Sequence, residues 1–484
     1  MNLRTPFLPG ISPLLQGRAP RPFKEQLEQQ VKRFEALSFA GLQKLFGPWI
    51  PSELFEGAQG DSKLRRRHYW SDLTFWAFLC QVLDPGCACR EIVRKIQHWH
   101  CEHQLPMPSS RTGAYCQARK RLSLGLLQRI WSHTTQSLGS ESATTGVWAG
   151  HRLLVADGTG VSMPDTRSNQ KAYPQPTTQK PGCGFPVMKL LGIYSLHSGA
   201  LLHWVEGNLH EHECRLFQRV SNLFKPGDIL VGDRAYGGYA QIAVMHQKGV
   251  EVVARIHQSR KVDWRKGVSL GEYDRLIEWK RPSNKGKVMS KEEWKELPKT
   301  MTLRVVKVAV KTPGFRVKLL KLVTTLIDAE RYPAEALADL YRQRWQVEVY
   351  IREIKQSLSL DILRCQSPEM IQKEMCMHAI AYNLIRALMN DISREHSVSL
   401  GKISFKGTLD AVRRWREQFS QRRQMSKKAE KEARETLYLA IVQDLLPERP
   451  DRSEPRVVKR RKKGFRLMTK PRHKMKVEVS RRQK

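Results

Sequence analysis

The run Tyr341-Arg-Gln-Arg-Trp-Gln-Val-Glu-Val-Tyr-Ile-Arg-Glu-Ile-Lys355 concentrates more chemistry than any other stretch of this chain. It lies inside an apolar–polar pattern that runs from near Ala334 to about Leu358 and predicts one long amphipathic helix. At about 100° per residue, Tyr341, Arg344, Glu348, Arg352 and Lys355 share one stripe about 80° wide. Leu340, Val347, Ile351, Ile354 and Leu358 fall on the adjoining stripe, so the polar row borders the buried face. Glu353 is an internal control, because the same arithmetic turns it about 120° away from Tyr341. A salt-bridged surface helix also places Arg and Lys three and four residues from Glu. It does not require one carboxylate flanked on one face by Tyr, two Arg and a Lys.

Two aspartates elsewhere are placed to meet Glu348. Leu153-Leu-Val-Ala156 reads as a short buried strand running into Asp157-Gly-Thr-Gly160. Asp228-Ile-Leu-Val231 is another, ending in Gly232-Asp233-Arg234. Three carboxylates without competing soft ligands make a hard oxygen site suited to Mg²⁺ or Mn²⁺. Such a site serves in-line phosphoryl transfer with two ions about 3.5–4 Å apart.

The charge of the whole chain fits a nucleic-acid substrate. Its 484 residues carry a formal net charge of +37, with a pI of about 10.1. Self-repulsion on that scale is hard to sustain without a polyanion, and DNA is the commonest one. At this length two or more domains are expected. The nine cysteines show no disulfide spacing, which suits a reducing compartment. Met1 to Arg18 lacks a signal-peptide pattern, and apolar runs such as Leu73 to Leu83 fall short of the ~18 residues of a membrane span. A soluble cytoplasmic protein is expected, associated with the nucleoid and with no membrane partner.

Around the site the pattern changes along the chain. From Pro22 to about Trp131 it is helical. Glu91 to Glu102, the turn Leu105-Pro-Met-Pro-Ser-Ser110 and a basic helix with Arg119, Lys120 and Arg121 are compatible with a helix-turn-helix reader; a plain helical hairpin accounts for them equally. Past Gly146 strands and helices mix, including a hairpin turning at His197-Ser-Gly199. Residues 258–330 read as mainly β, with Trp264, Trp279 and Trp294 spaced through them. Pro368 to Ile392 and Leu409 to Leu446 are helical. The tail from Asp451 is dense in Lys and Arg around Lys459-Arg-Arg-Lys-Lys463, a segment suited to DNA phosphates.

The spacing Tyr-x2-Arg-x3-Glu-x6-Lys, met by Tyr341, Arg344, Glu348 and Lys355, resembles the signature of the insertion sequence 4 family of bacterial DDE transposases. Asp157-Gly-Thr and Gly-Asp233-Arg-Ala-Tyr are similar to the family's first and second Asp motifs. Ala114-Tyr-Cys-Gln-Ala-Arg-Lys-Arg-Leu122 is a weaker likeness. The resemblance implies an α/β fold: a ribonuclease H-like catalytic core interrupted by a mainly β insertion, with helical N-terminal and C-terminal regions. The corresponding divisions are 1–145, a helical DNA-binding region; 146–257, the first part of the core; 258–330, the insertion; 331–395, the final core helix; 396–450, a helical region; and 451–484, the basic tail. It implies magnesium-dependent cutting and joining of DNA at the element's ends. Asp157 bridges two ions, while Asp233 and Glu348 each hold one. Tyr341, Arg344, Arg352 and Lys355 are the implied phosphate contacts, with Arg119, Arg121, Lys459, Arg460 and Arg461 as further DNA-binding candidates. Cutting two ends in concert implies a homodimer on paired terminal repeats. A hairpin step with a base flipped onto Trp264, Trp279, Trp294 or Trp345 is a further implication of the family.

Other signals carry less. Cys87, Cys89, His98, His100, Cys101 and His103 match no zinc spacing. His210-Glu-His-Glu213 lacks the metalloprotease spacing and reads as a solvated turn. No Walker-type loop is present, and Asp165, beside Pro164, reads as a turn residue. Two rivals remain at this level, a nuclease of the same fold that cuts without joining and a DNA-binding protein that has lost catalysis.

Overall fold

The computed structural model describes residues 38–56, 68–145, 148–257, 260–283, 289–309, 319–416, 426–447, 468–475 and 477. The helical expectation for residues 22–37 and the cluster Lys459, Arg460 and Arg461 lie outside them. The chain divides into two compact units, one of residues 1–126 and 409–441, the other of 127–408 and 442–484.

The first unit is helical, with α1 (Ser38–Phe46), α2 (Ser71–Leu83), α3 (Cys89–Glu102) and α4 (Gly113–Arg121). α2 is apolar almost all round and is buried on nearly every side, from Leu73 to Leu83. Residues 103–112 separate α3 from α4, more than the three or four residues of a helix-turn-helix. Asp84 anchors the unit, accepting from Lys95 at 3.3 Å and Arg416 at 2.9 Å. Burial raises its carboxyl, but Arg416 and Lys95 outweigh burial and hold it below the usual value.

The second unit is α/β. Following α5 (Leu124–Thr145), its elements are β1 (Leu153–Ser162), α6 (Arg167–Ala172), β2 (Val187–Ser195), β3 (Leu201–Asn208), α7 (Glu213–Val220), β4 (Ile229–Gly232), α8 (Tyr239–Gln247) and β5 (Glu251–Arg255). Then come β6 (Val268–Gly271), β7 (Asp274–Lys280), α9 (Lys291–Glu296), β8 (Thr300–Ala309), β9 (Leu319–Thr324), α10 (Ala334–Gln343), α11 (Gln346–Arg352) and α12 (Pro368–Glu395). α13 (Phe405–Trp415) and α14 (Lys427–Val442), which lie mostly in the first unit, complete the described helices of ten residues or more.

All nine strands form one mixed sheet in the order β3-β2-β1-β4-β5-β9-β8-β7-β6. β1, β4 and β5 run parallel, and β2 and β3 form an antiparallel hairpin against β1. The β region expected at 258–330 is there, but it is not a separate layer. β9 pairs antiparallel with β5 from Val253↔Thr324 to Arg255↔Leu322, so β6–β9 extend the central sheet. One face of the sheet packs Leu154, Ala156, Leu191 and Ile193 with Leu216 and Phe217 of α7 and Ile242 of α8. On β2, Tyr194 meets Tyr350 and Tyr382. Asn383 of α12 bonds both backbone groups of Leu201, at 2.9 and 3.0 Å. No described helix is long and apolar enough to cross a membrane.

α12 also buries a titratable group. Burial first, and Arg364 second, push the His378 imidazole down to about 3. A lowered folded pKa stabilises the fold above the unfolded value, about 6.5, and that stability is lost as pH falls toward the folded value. Between pH 7.5 and 4.5 this one group should cost the fold about 2–3 kcal/mol. Urea unfolding of wild type and His378→Gln at both pH values checks this. A wild-type loss no larger than the variant's counts against the assignment.

Candidate active site

The strand register brings the two aspartates level. β1 pairs with β4 as Leu153↔Ile229, Leu154↔Leu230 and Val155↔Val231, and two residues further on come Asp157 and Asp233. The sequence placed Asp157 at a strand end. Instead β1 continues to Ser162, paired with β2, while β4 stops at Gly232. Asp157 therefore lies in mid-strand, at the notch where the parallel ladder ends. Its Oδ1 accepts from the Gly158 N–H at 2.9 Å, and Asp233 Oδ1 accepts from the Ala235 N–H at 2.7 Å. Burial, then the charges of Glu213 and Asp233, push the Asp157 carboxyl up to about 6 against the Gly158 N–H and Arg344.

The third carboxylate comes from a helix that is not continuous. α10 ends at Gln343 and α11 starts at Gln346. Between them the N–H groups of Arg344, Trp345, Val347 and Glu348 bond three residues back, at 3.0–3.3 Å, in tighter 3₁₀ fashion. Beyond α11, Glu353–Ser357 widens into a π turn. The uniform 100° wheel therefore holds only within each piece. Arg344 Nη2 nevertheless donates to Glu348 Oε1 at 3.2 Å, with side chains 10% and 45% exposed. Arg344 also senses Tyr341 and Asp157, and its Nε is buried without a hydrogen-bond partner. Tyr341 is buried, which raises its hydroxyl pKa; Arg344 and Arg255 oppose that shift, and Asp233 adds to it. The guanidinium of Arg344 thus stands among the carboxylates. Oxygens of Asp157, Asp233 and Glu348 do not all approach within 4.8 Å of one another.

The remaining predicted residues take varied positions. Lys355 Nζ donates to Thr159 Oγ1 at 3.0 Å and to the Gly160 carbonyl at 2.9 Å, pinning the π turn to β1. Arg352 is exposed, whereas Glu353 turns away and pairs with buried Arg386. Arg119 is held inside the first unit by Gln81, Cys89 and Cys116 and lies over the Phe78 and Tyr115 rings. Arg121 is exposed. Trp279 is buried under Arg260, and Trp264 and Trp294 pack partly against the core. Trp345, beside Arg344, is 37% exposed. Asp165 is exposed and accepts from Gln170 at 2.8 Å.

One carboxylate beside these residues escaped the sequence reading. Glu213, read there as part of a solvated turn, begins α7 and reaches β1 beside Gly158. Its position one residue past the N-cap His212, at the start of the helix that follows β3, was the available signal.

Residues 148–384 match the family model of the transposase DDE domain. Over 358 residues the chain is 26% identical to transposase InsG for insertion sequence element IS4 of Escherichia coli (strain K12), covering 71% of this chain and 76% of that protein. A probable transposase for insertion sequence element IS5377 of Geobacillus stearothermophilus is 37% identical over 86 residues, 18% of this chain and 22% of its own. A cryo-EM structure of the piggyBac transposase synaptic complex with hairpin DNA aligns over 84% of both chains, at 9% identity and a TM-score of 0.39. At that distance it fixes no residue correspondence.

The protein is a DDE-type DNA transposase, an enzyme that acts on DNA and depends on a divalent metal. Over most of its length the chain is similar to the transposase of the insertion sequence 4 element.

Proposed function

We propose that the protein cuts DNA at the ends of its own insertion sequence and joins them to target DNA, with Asp157, Asp233 and Glu348 holding two Mg²⁺ ions. The observation that carries this reading is the parallel register that sets Asp157 and Asp233 side by side at the end of the β1–β4 ladder, with Arg344 bonded to Glu348 and within reach of the Asp157 charge. The order β3-β2-β1-β4-β5 supports a ribonuclease H-like core, into which β6–β9 are inserted ahead of α10 and α11.

The donor set fits hard divalent ions. It offers carboxylate oxygens, and the Asp157 carboxyl is crowded by negative charge that a cation would offset. Asp157, Asp233 and Glu348 are the residues that would hold the ions, and they offer oxygen donors without a competing thiol or imidazole. Asp157 would contact both ions, and Asp233 and Glu348 one each. When bound, the ions would activate the attacking hydroxyl and stabilise the leaving oxygen. Magnesium is the expected ion, with manganese able to replace it.

The chain's own residues orient the DNA. Arg344, with its unpaired Nε, and Tyr341 stand where a scissile phosphate would meet the carboxylates. Arg352 is exposed for a neighbouring phosphate, and Lys355 holds β1 and the helix in register at the same edge. Arg121, and the Lys459, Arg460 and Arg461 cluster of the tail, extend the basic footprint; Arg119 supports α4 from within. Residues 1–145 form the end-recognition region, and two copies assemble on paired ends in the bacterial nucleoid. Exposed Trp345 is the best placed of the tryptophans to stack a base if excision passes through a hairpin.

The test is a cleavage and joining assay with purified protein on DNA carrying the element's ends, in Mg²⁺ and in Ca²⁺. Cutting and joining in Mg²⁺ alone are expected. Cutting without joining would make the protein a nuclease, and end binding without cutting would remove the catalytic roles.

A further inference from the structure

Glu213 is the first residue of α7, whose Leu216 and Phe217 pack in the same core cluster as Leu154 and Ala156 of β1. Residues 154, 156 and 158 face that side of the sheet by strand alternation, and Asp157 faces the other. At position 158 there is no side chain. A Cβ built there would stand 2.7 Å from Glu213 Oε2 and 3.0 Å from its Cδ. The carboxylate therefore fills the space that any other residue type would occupy, and it lies against the backbone next to Asp157.

The other oxygen is fixed from the opposite side of the notch. Tyr236, 1% exposed, donates its hydroxyl to Glu213 Oε1 at 2.9 Å. Tyr236 belongs to the turn that Asp233 opens, through its N–H to the Asp233 carbonyl at 3.3 Å. One glutamate thus touches the strand that carries Asp157 and the turn that carries Asp233. Neighbouring carboxylates differ from it in having partners that satisfy them. Glu211 pairs with Arg219, Glu353 with Arg386, and Glu374 accepts from the Arg364 and Cys365 N–H groups. Glu213 is half-buried, and no Lys or Arg pairs with it among the described residues. A carboxylate removed from water without a cation is costly, and a bound cation removes the cost.

We propose that Glu213 is a fourth carboxylate ligand of the catalytic metal site, entering from α7 through the gap left by Gly158. The proposal rests on the reading of Asp157, Asp233 and Glu348 as the metal-binding set.

Glu213→Gln separates a ligand from a structural anchor, because the amide oxygen still accepts from Tyr236 while the charge is lost. Binding of Mn²⁺ alone is measured on the full chain by electron paramagnetic resonance for wild type, Glu213→Gln, Glu348→Gln and Glu211→Gln. Glu213→Gln is expected to weaken Mn²⁺ binding roughly tenfold or more, and to raise in parallel the Mn²⁺ concentration needed for half-maximal cleavage. Glu211→Gln should match wild type. Wild-type Mn²⁺ affinity in a folded Glu213→Gln protein overturns the proposal, whatever happens to cleavage. If Glu213→Gln does not fold, Tyr236→Phe, which frees Oε1, takes its place; a several-fold weaker Mn²⁺ affinity supports the proposal and an unchanged one overturns it. Loss of Mn²⁺ binding in Glu348→Gln but not in Glu213→Gln removes only the fourth ligand. Wild-type Mn²⁺ binding and cleavage in Glu348→Gln removes the three-carboxylate reading itself, and the proposal with it.

Discussion

Glu348→Gln is expected to lower cleavage of the element's ends on the order of 10⁴-fold while leaving the affinity for those ends nearly unchanged. The substitution keeps shape and volume, so it tests charge alone. Glu348 sits in the first turn of α11 with its side chain 45% exposed, and it accepts from Arg344 at 3.2 Å. A half-exposed pair of this kind contributes little to stability. The unfolding midpoint should therefore stay within about 1 kcal/mol of wild type. A large kinetic loss with an intact fold is what a ligand to the reacting centre predicts. A purely structural glutamate predicts the reverse. Single-turnover cleavage, gel-shift binding and urea melts on the same preparation decide between them. Cleavage within tenfold of wild type would take Glu348 out of the site.

How much of this was legible in the sequence depends on how local each signal is. The Tyr341, Arg344, Glu348 and Lys355 spacing is local, and it identified the helix although the helix is broken. The 3₁₀ step at Arg344 and the π turn at Glu353 change the phase in opposite directions, so Glu348 still meets Arg344 and Lys355 still reaches Thr159. Asp157 and Asp233 were visible because each follows a short apolar strand, but the notch between them depends on β4 ending before β1 does. No periodicity reports that difference. The partner of Arg119 could not be read either. Gln81 and Cys89 lie 38 and 30 residues away in sequence, and a basic helix end looks the same whether it meets DNA or a half-buried thiol. Glu213 was hidden by its neighbours, since His210-Glu-His-Glu213 is polar throughout and only packing of Leu216 and Phe217 turns it inward.

The joining of the inserted strands to the core leads to the second large expected effect. Arg304 on β8 is fully buried and donates Nε to Asp274 Oδ1 at 2.8 Å and Nη2 to Oδ2 at 2.5 Å. Its Nη1 donates to the carbonyls of Tyr332 at 2.6 Å and Asp328 at 3.3 Å. This guanidinium therefore ties β7 and β8 to the segment that enters α10, the helix leading to Arg344 and Glu348. Removing one partner of such a pair leaves a buried charge with nothing to balance it, which costs about 3–5 kcal/mol. Asp274→Ala should lower the unfolding free energy by that amount. Arg304→Met should do at least as much harm, since the Tyr332 and Asp328 carbonyls lose their donor as well. An apolar pair of similar volume is often no less stable than a buried ion pair, so Asp274→Leu with Arg304→Met should be less damaging than the two single effects added together. What the double variant cannot restore is the tie to Tyr332 and Asp328. It should regain stability yet still cleave more slowly than wild type, because α10 has lost its anchor to the sheet. Urea unfolding of wild type, Asp274→Leu, Arg304→Met and the double variant gives the coupling energy, and end cleavage at equal folded fraction gives the second readout. Additive single effects, or an Asp274→Ala loss below about 1 kcal/mol, would mean that the pair does not hold β7 and β8 to the segment that enters α10.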